Sequence, residues 1–181
     1  MADSFAVDVT RISREAHRTM AAEPGTAPRL DEERAISVLN DVVATEVVGW
    51  LRYTRDALAA GGGGEQAVRA AALLNAHAEQ GMRHAVAVAE RIAALGGRPN
   101  FDPDTLAQRA HTDYSVPADS ALTATLARNL RAERIVVATY RDIAEWFGER
   151  DTESRALMES LAADVQRNAA ALEALLGARG E

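Results

Sequence analysis

Two carboxylates interrupt apolar helical stripes in separate parts of the chain. Glu46 falls within the series Leu39, Val43, Glu46, Trp50, Tyr53 and Ala57, which recurs every three to four residues. Glu133 does the same in Leu122, Leu126, Asn129, Glu133, Val137, Tyr140, Ala144 and Phe147. A carboxylate is rarely buried unless it is paired or binds a metal. Two such acids on two helices facing one core constrain the fold to a bundle with a polar site inside it.

The rest of the chain supports a helical reading. Its 181 residues suit one domain with a sizeable core. Apolar residues make up 48% but aromatics only 4%, a mixture that favours helices with small contacting residues over a sheet. The absence of cysteine excludes disulfides, thiolate metal sites and thiol nucleophiles. The first residues, MADSFAVDVT, lack the basic and apolar regions of a secretion signal, and no uncharged apolar stretch is long enough for a bilayer. The expected location is therefore cytoplasmic, without a membrane partner. A net charge of −7 disfavours nucleic acid, since Asp3, Asp8 and Glu15 offset Arg11, Arg14 and Arg18.

Breakers divide the chain into helical runs. Residues 4–21 carry a weak stripe (Phe5, Val9, Ile12, Ala16 and Met20) before the segment Glu23-Pro24-Gly25-Thr26-Ala27-Pro28. This predicts a short N-terminal helix within an extension spanning 1–30. Long helices are expected near 31–60, 65–95, 119–147 and 152–176, with Asp31 as the first cap and glycines as the stops. Each would span roughly 35–45 Å. Their links run short, long, short, and the long one over 96–118 can cross the bundle from end to end. The fold class is all-α: a ferritin-like four-helix bundle over 31–177, with one crossover between the second and third helices and a tail at 178–181.

The second run, Leu73, His77, Gly81, His84, Val88, Ile92 and Leu95, points His84 at the core. Gly81, one turn earlier, is an unusual mid-helix residue, costing on the order of 1 kcal/mol relative to alanine. The fourth run places Asp164 near the inward face, with Arg167 one turn on. Glu46, His84, Glu133 and Asp164 thus give one polar group from each of four helices, and oxygen and imidazole donors suit iron or manganese. Gln80 can add a weak oxygen donor. Histidines elsewhere read as structure: His77 as a hydrogen-bonded core residue, His17 and His111 as surface residues. Trp50, Trp146, Phe147 and Tyr140 read as core or interface residues.

At this point the chain resembles bacterioferritin and its Dps-like relatives. The resemblance rests on LNDVVATEVVGWLRYTRDAL, on LLNAHAEQGMRHAVAVAERIAALGGRPNF and on NLRAERIVVATYRDI, and it runs from about residue 5 to 177. It implies that Glu46 and Glu133 are the terminal carboxylate ligands of a diiron centre, with Tyr53 beside it. The family's two Glu-x-x-His pairs become Gly81-Met82-Arg83-His84 and Asp164-Val165-Gln166-Arg167. Gly81 and Arg167 then mark lost ligands, a degenerate centre with weak or absent ferroxidase activity. Arg167 is expected to replace one ion and pair with Glu133, leaving Glu46, His84 and Asp164 around a single metal or within a metal-free cluster.

Met82 matches the family's haem-ligating methionine, shared across a twofold dimer; packing is the favoured role, and haem is not the expected cofactor. The resemblance further implies iron as the metal and self-association as a homodimer or cage. Two other functions compete with iron binding or storage: a small ferritin-like enzyme acting on an organic substrate, and a non-catalytic helical scaffold.

Overall fold

The computed structural model describes residues 31–60, 63–116 and 121–177. The sequence places the N-terminal helix over 4–21, His17 and the tail outside these residues. Five helices are described: α1 (Glu32–Ala60), α2 (Glu65–Ala94), α3 (Pro103–Arg109), α4 (Leu122–Phe147) and α5 (Thr152–Gly177). The chain is all-α, in the ferritin-like bundle arrangement, with α1 packed along α2 and α4 along α5. Among the described residues no helix is long and apolar enough to cross a membrane.

Local chemistry sets the helix ends. Asp31 accepts from the Arg34 backbone N–H at 3.1 Å, satisfying one of the orphan donors of α1. At the end of α2, Gly96 takes φ 77° and Gly97 N donates to Ile92 O at 2.9 Å. A Cβ on Gly97 would fall within 2.9 Å of Ile36, so this turn lies directly against α1. The start of α5 is capped by Asp151, which accepts from Ser154 N at 3.0 Å and from Arg91 of α2 at 2.7 Å.

The long crossover is partly helical. Pro103 occupies the first turn of α3, and Asp102 caps it by accepting from Asp104 N at 3.1 Å. Arg109 then binds Asn40 O at 2.6 Å and Asn100 O at 3.0 Å, holding α3 against α1. His111 follows, and the crossover buries it to 8% exposure, so the surface position expected for it is incorrect. Its Nδ1 lies 2.8 Å from the Thr45 hydroxyl, and burial lowers its pKa to about 4.

The core divides into two apolar clusters. One gathers Leu39, Val43, Val88, Ile92, Tyr140 and Phe147; the other gathers Tyr53, Leu74, Leu126, Leu130 and Leu172. Glu46, His77, His84 and Glu133 belong to neither and are all buried.

Candidate metal centre

Glu46 and Glu133 are 8% and 5% exposed, so each must find its partners inside the bundle. Tyrosines supply them reciprocally. Tyr140 of α4 donates to Glu46 Oε1 at 2.6 Å, and Tyr53 of α1 donates to Glu133 Oε1. On each helix the tyrosine follows the glutamate by seven residues, two turns on the same face. Each ring is anchored in one of the two apolar clusters. Burial and the neighbouring carboxylates push both phenol pKa values well above their ordinary range, so both remain donors.

His84 bridges outward from Glu46. Its Nε2 lies 3.0 Å from Asp164 Oδ2, and its Nδ1 lies 3.5 Å from Glu46 Oε1. An ionised carboxylate only accepts, so Nε2 carries a hydrogen in the Asp164 contact, and Nδ1 is directed to the side of Glu46. Asp164 is itself 24% exposed and pairs with Arg167 on the same helix.

Arg167 does not enter the core. Its side chain is 70% exposed, and the expected contact with Glu133 is not formed. A long arginine can follow the helix surface into water, which avoids the cost of desolvating its charge. The cation beside Glu133 is instead Arg52 of α1, 4% exposed. Arg52 donates to Asn129 Oδ1 at 3.1 Å, to Thr112 Oγ1 at 3.0 Å and to Asp113 O at 3.3 Å. Asn129 continues the network to Asp56 at 2.7 Å. Arg52 and Tyr140 join the site beyond what the sequence pattern indicates. The usable signal was Arg52-Tyr53 beside the stripe, and a tyrosine two turns after each core glutamate.

Burial dominates at Glu133 and raises its pKa from 4.5 to about 7; the Tyr53 hydrogen bond and the Arg52 charge act in the opposite direction. His77 departs from its expected role as a hydrogen-bonded core residue. It is 5% exposed, yet its Nδ1 has no partner. Burial lowers its pKa from 6.5 to about 4, so it is a neutral imidazole at physiological pH.

Glu46, Tyr53, His77, Gln80, His84 and Glu133 line one cavity of about 30 Å³. That is room for one water-sized occupant or a bare cation. Gln80 Oε1 accepts from Asn168 at 2.7 Å. Asp164, expected among the ligands, does not line the cavity. Met82 lies on the outer side of α2, half-buried beside a shallow groove with Arg83, Val86 and Glu90.

A dinuclear centre of the kind the resemblance implies would call on donors at positions 81 and 167. Gly81 offers no donor, and a Cβ there would already lie 3.3 Å from Glu46 Oε2. Arg167 offers a positive charge at the surface. Two carboxylates and two imidazoles line the same cavity, side chains of the chemistry that binds divalent cations. Among the described residues no three His, Asp or Glu side chains already stand close enough to hold an ion. The phenols each engage one oxygen of a glutamate.

This geometry defines a class: an all-helical bundle carrying acids and imidazoles inside, with a crossover strapped along its flank. The chain belongs to the ferritin-like domain family, whose model matches residues 36–179. No curated protein matches it in sequence. Solved structures share the fold at low identity. A dodecameric thioferritin, the bacterioferritin-related protein of Bacteroides fragilis, is 23% identical with a TM-score of 0.77, covering 91% of this chain and 93% of that one. A Dps1 mutant from Mycobacterium smegmatis is 20% identical, with a TM-score of 0.74 and coverage of 80% and 96%. Desulfovibrio desulfuricans bacterioferritin, described with a diiron site, is 21% identical, with a TM-score of 0.65 and coverage of 81% and 80%.

Proposed function

We propose that this ferritin-like protein binds iron through a single-ion centre within the bundle, rather than oxidising it at a diiron site. The observation that carries this reading is the cavity lined by Glu46, His84 and Glu133. The resemblance to bacterioferritin, which puts further ligands at positions 81 and 167, supports it, since Gly81 has no donor and Arg167 is exposed and paired with Asp164. When bound, the ion would supply a redox-active or Lewis-acidic centre. The chain's own residues contribute charge, orientation and exclusion of water. Glu46 and Glu133 neutralise the cation, and His84 is oriented by Asp164. Tyr53 and Tyr140 hold the carboxylates and remain protonated.

A cavity of about 30 Å³ accommodates a cation, in keeping with metal handling. Self-association into a cage is part of the same reading. It is supported by the dodecameric B. fragilis relative.

The test is iron content per chain after anaerobic loading with Fe(II), followed by oxygen consumption and sizing. One ion per chain with slow oxygen uptake is expected, in a particle many times the subunit mass. Two ions with rapid uptake would overturn the reading. The double variant Gly81→Glu with Arg167→His is expected to acquire a second ion.

A further inference from the structure

The cavity inside the bundle has one soft wall. Of the residues lining it, only Trp50, Gln80 and Asn168 are half-buried; the others are buried. The lining therefore meets solvent chiefly at these three. Two of them close on each other. Asn168 of α5 donates to Gln80 Oε1 of α2 at 2.7 Å, across the seam where the two helical hairpins meet.

The crossover side is fastened differently. Thr112 lines the cavity there and accepts from Arg52 at 3.0 Å. The same guanidinium donates to Asn129 of α4 and to Asp113 O, so one buried cation joins the crossover, α1 and α4. Thr45 adds contacts to His111 Nδ1 at 2.8 Å and to the His111 backbone N–H at 2.9 Å. Opening this side would break several hydrogen bonds together and leave a buried charge without partners.

The α2–α5 seam is held more lightly. Positions 80 and 84 of α2 meet 168 and 164 of α5, so two side-chain rungs cross it one helical turn apart. The rung at His84 engages a buried ring and a carboxylate. The rung at Gln80 joins two neutral amides within reach of water, which competes for both. A neutral hydrogen bond of this kind biases the closed form by about fivefold.

We propose that the Gln80–Asn168 pair is a gate, whose parting admits water-sized polar solutes to the cavity while the crossover side stays shut. The structure shows it closed. The gate goes beyond the single-ion reading and operates whichever small solute the cavity receives, since its size admits one water-sized occupant.

Deuterium exchange at the histidine Cε1 hydrogens, followed by mass spectrometry on the full-length, metal-free protein, reads water access ring by ring. His77 lines the cavity and is 5% exposed. His111 is comparably buried, at 8%, but stands behind the crossover and does not line the cavity, so it reports general loosening of the bundle. In Gln80→Ala and in Asn168→Ala, exchange at His77 should rise about fivefold while His111 keeps its wild-type rate. Gln166→Ala, which removes an exposed contact to Arg141 on the same helix as Asn168, should alter neither ring.

Unchanged exchange at His77 in both gate variants would overturn the proposal. So would equal acceleration at His77 and His111, because the bundle would then be loosening as a whole instead of parting at the seam. Neither outcome depends on a bound ion, and the single-ion reading would stand or fall separately by its iron content.

Discussion

Glu46 and Glu133 occupy mirrored positions, each buried and each held by a tyrosine from the other's helix. Their surroundings differ. From Glu46 a polar path runs through His84 to Asp164 and Arg167, which reaches solvent. Around Glu133 the path is closed: the nearby guanidinium of Arg52 is held by Asn129, Thr112 and a crossover carbonyl. One residue type in one helical setting thus acquires two chemical characters. An imidazole leading outward surrounds the first, and a fixed interior cation stands near the second.

The largest expected effect separates the two arginines that flank this comparison. Arg52→Met strands three acceptors and removes the charge facing Glu133, and should cost about 3 kcal/mol. Arg167→Met removes an exposed i, i+3 pair and should cost less than about 0.5 kcal/mol. Urea unfolding of both variants is the check. Equal losses would mean that the Glu133 side is no more tightly held than the Glu46 side.

A smaller effect concerns pH. The Glu133 pKa rises from 4.5 to about 7 on folding, so the folded state holds a proton that the unfolded chain releases between those values. That stabilisation is complete below about pH 4.5 and is lost as pH rises past 7, an effect on the order of 3 kcal/mol. Asp41, raised from 3.8 to about 6 by burial, adds a loss in the same direction. His77 and His111 act oppositely: their pKa values fall from 6.5 to about 4, so stability declines as pH drops through that interval. Melting temperatures of the metal-free protein should therefore decline on both sides. Glu133→Gln should flatten the alkaline limb and leave the acid limb in place. An unchanged alkaline limb in that variant would show that Glu133 is not its source.

The smallest effect distinguishes two glycines. Gly49→Ala meets nothing within 4 Å and should gain up to about 1 kcal/mol from helix propensity alone. Gly81→Ala brings a Cβ within 3.3 Å of Glu46 Oε2, so crowding should offset that gain and Co(II) affinity should fall. Thermal midpoints and Co(II) titrations of the two variants test this. Matching behaviour would show that the space at Gly81 has no bearing on the Glu46 side.

The helices were legible because their signals are local. Asp31 caps α1, Gly96-Gly97 end α2, and the 3.6-residue period directs Glu46, His84 and Glu133 inward. Long side chains and the crossover were less so. A stripe gives the direction of a Cβ but not the end of an arginine: Arg167 ends in solvent, while Arg52 ends in the core. His111 is buried because of where the crossover settles on α1, a long-range fact absent from its neighbours in sequence. The helix at Pro103 did carry a readable sign, Asp102-Pro103, which the proline-rich composition of the connection obscured.

The reciprocal glutamate–tyrosine pairs also have a mechanical consequence. Positions 46 and 53 on α1 meet 140 and 133 on α4, so the two rods are fastened at two rungs, roughly 10 Å apart along the axis. Sliding one rod past the other by a single turn would break both rungs together and strand two acids in an apolar interior. The register between the two hairpins is thereby locked from within, independently of the loops at the ends.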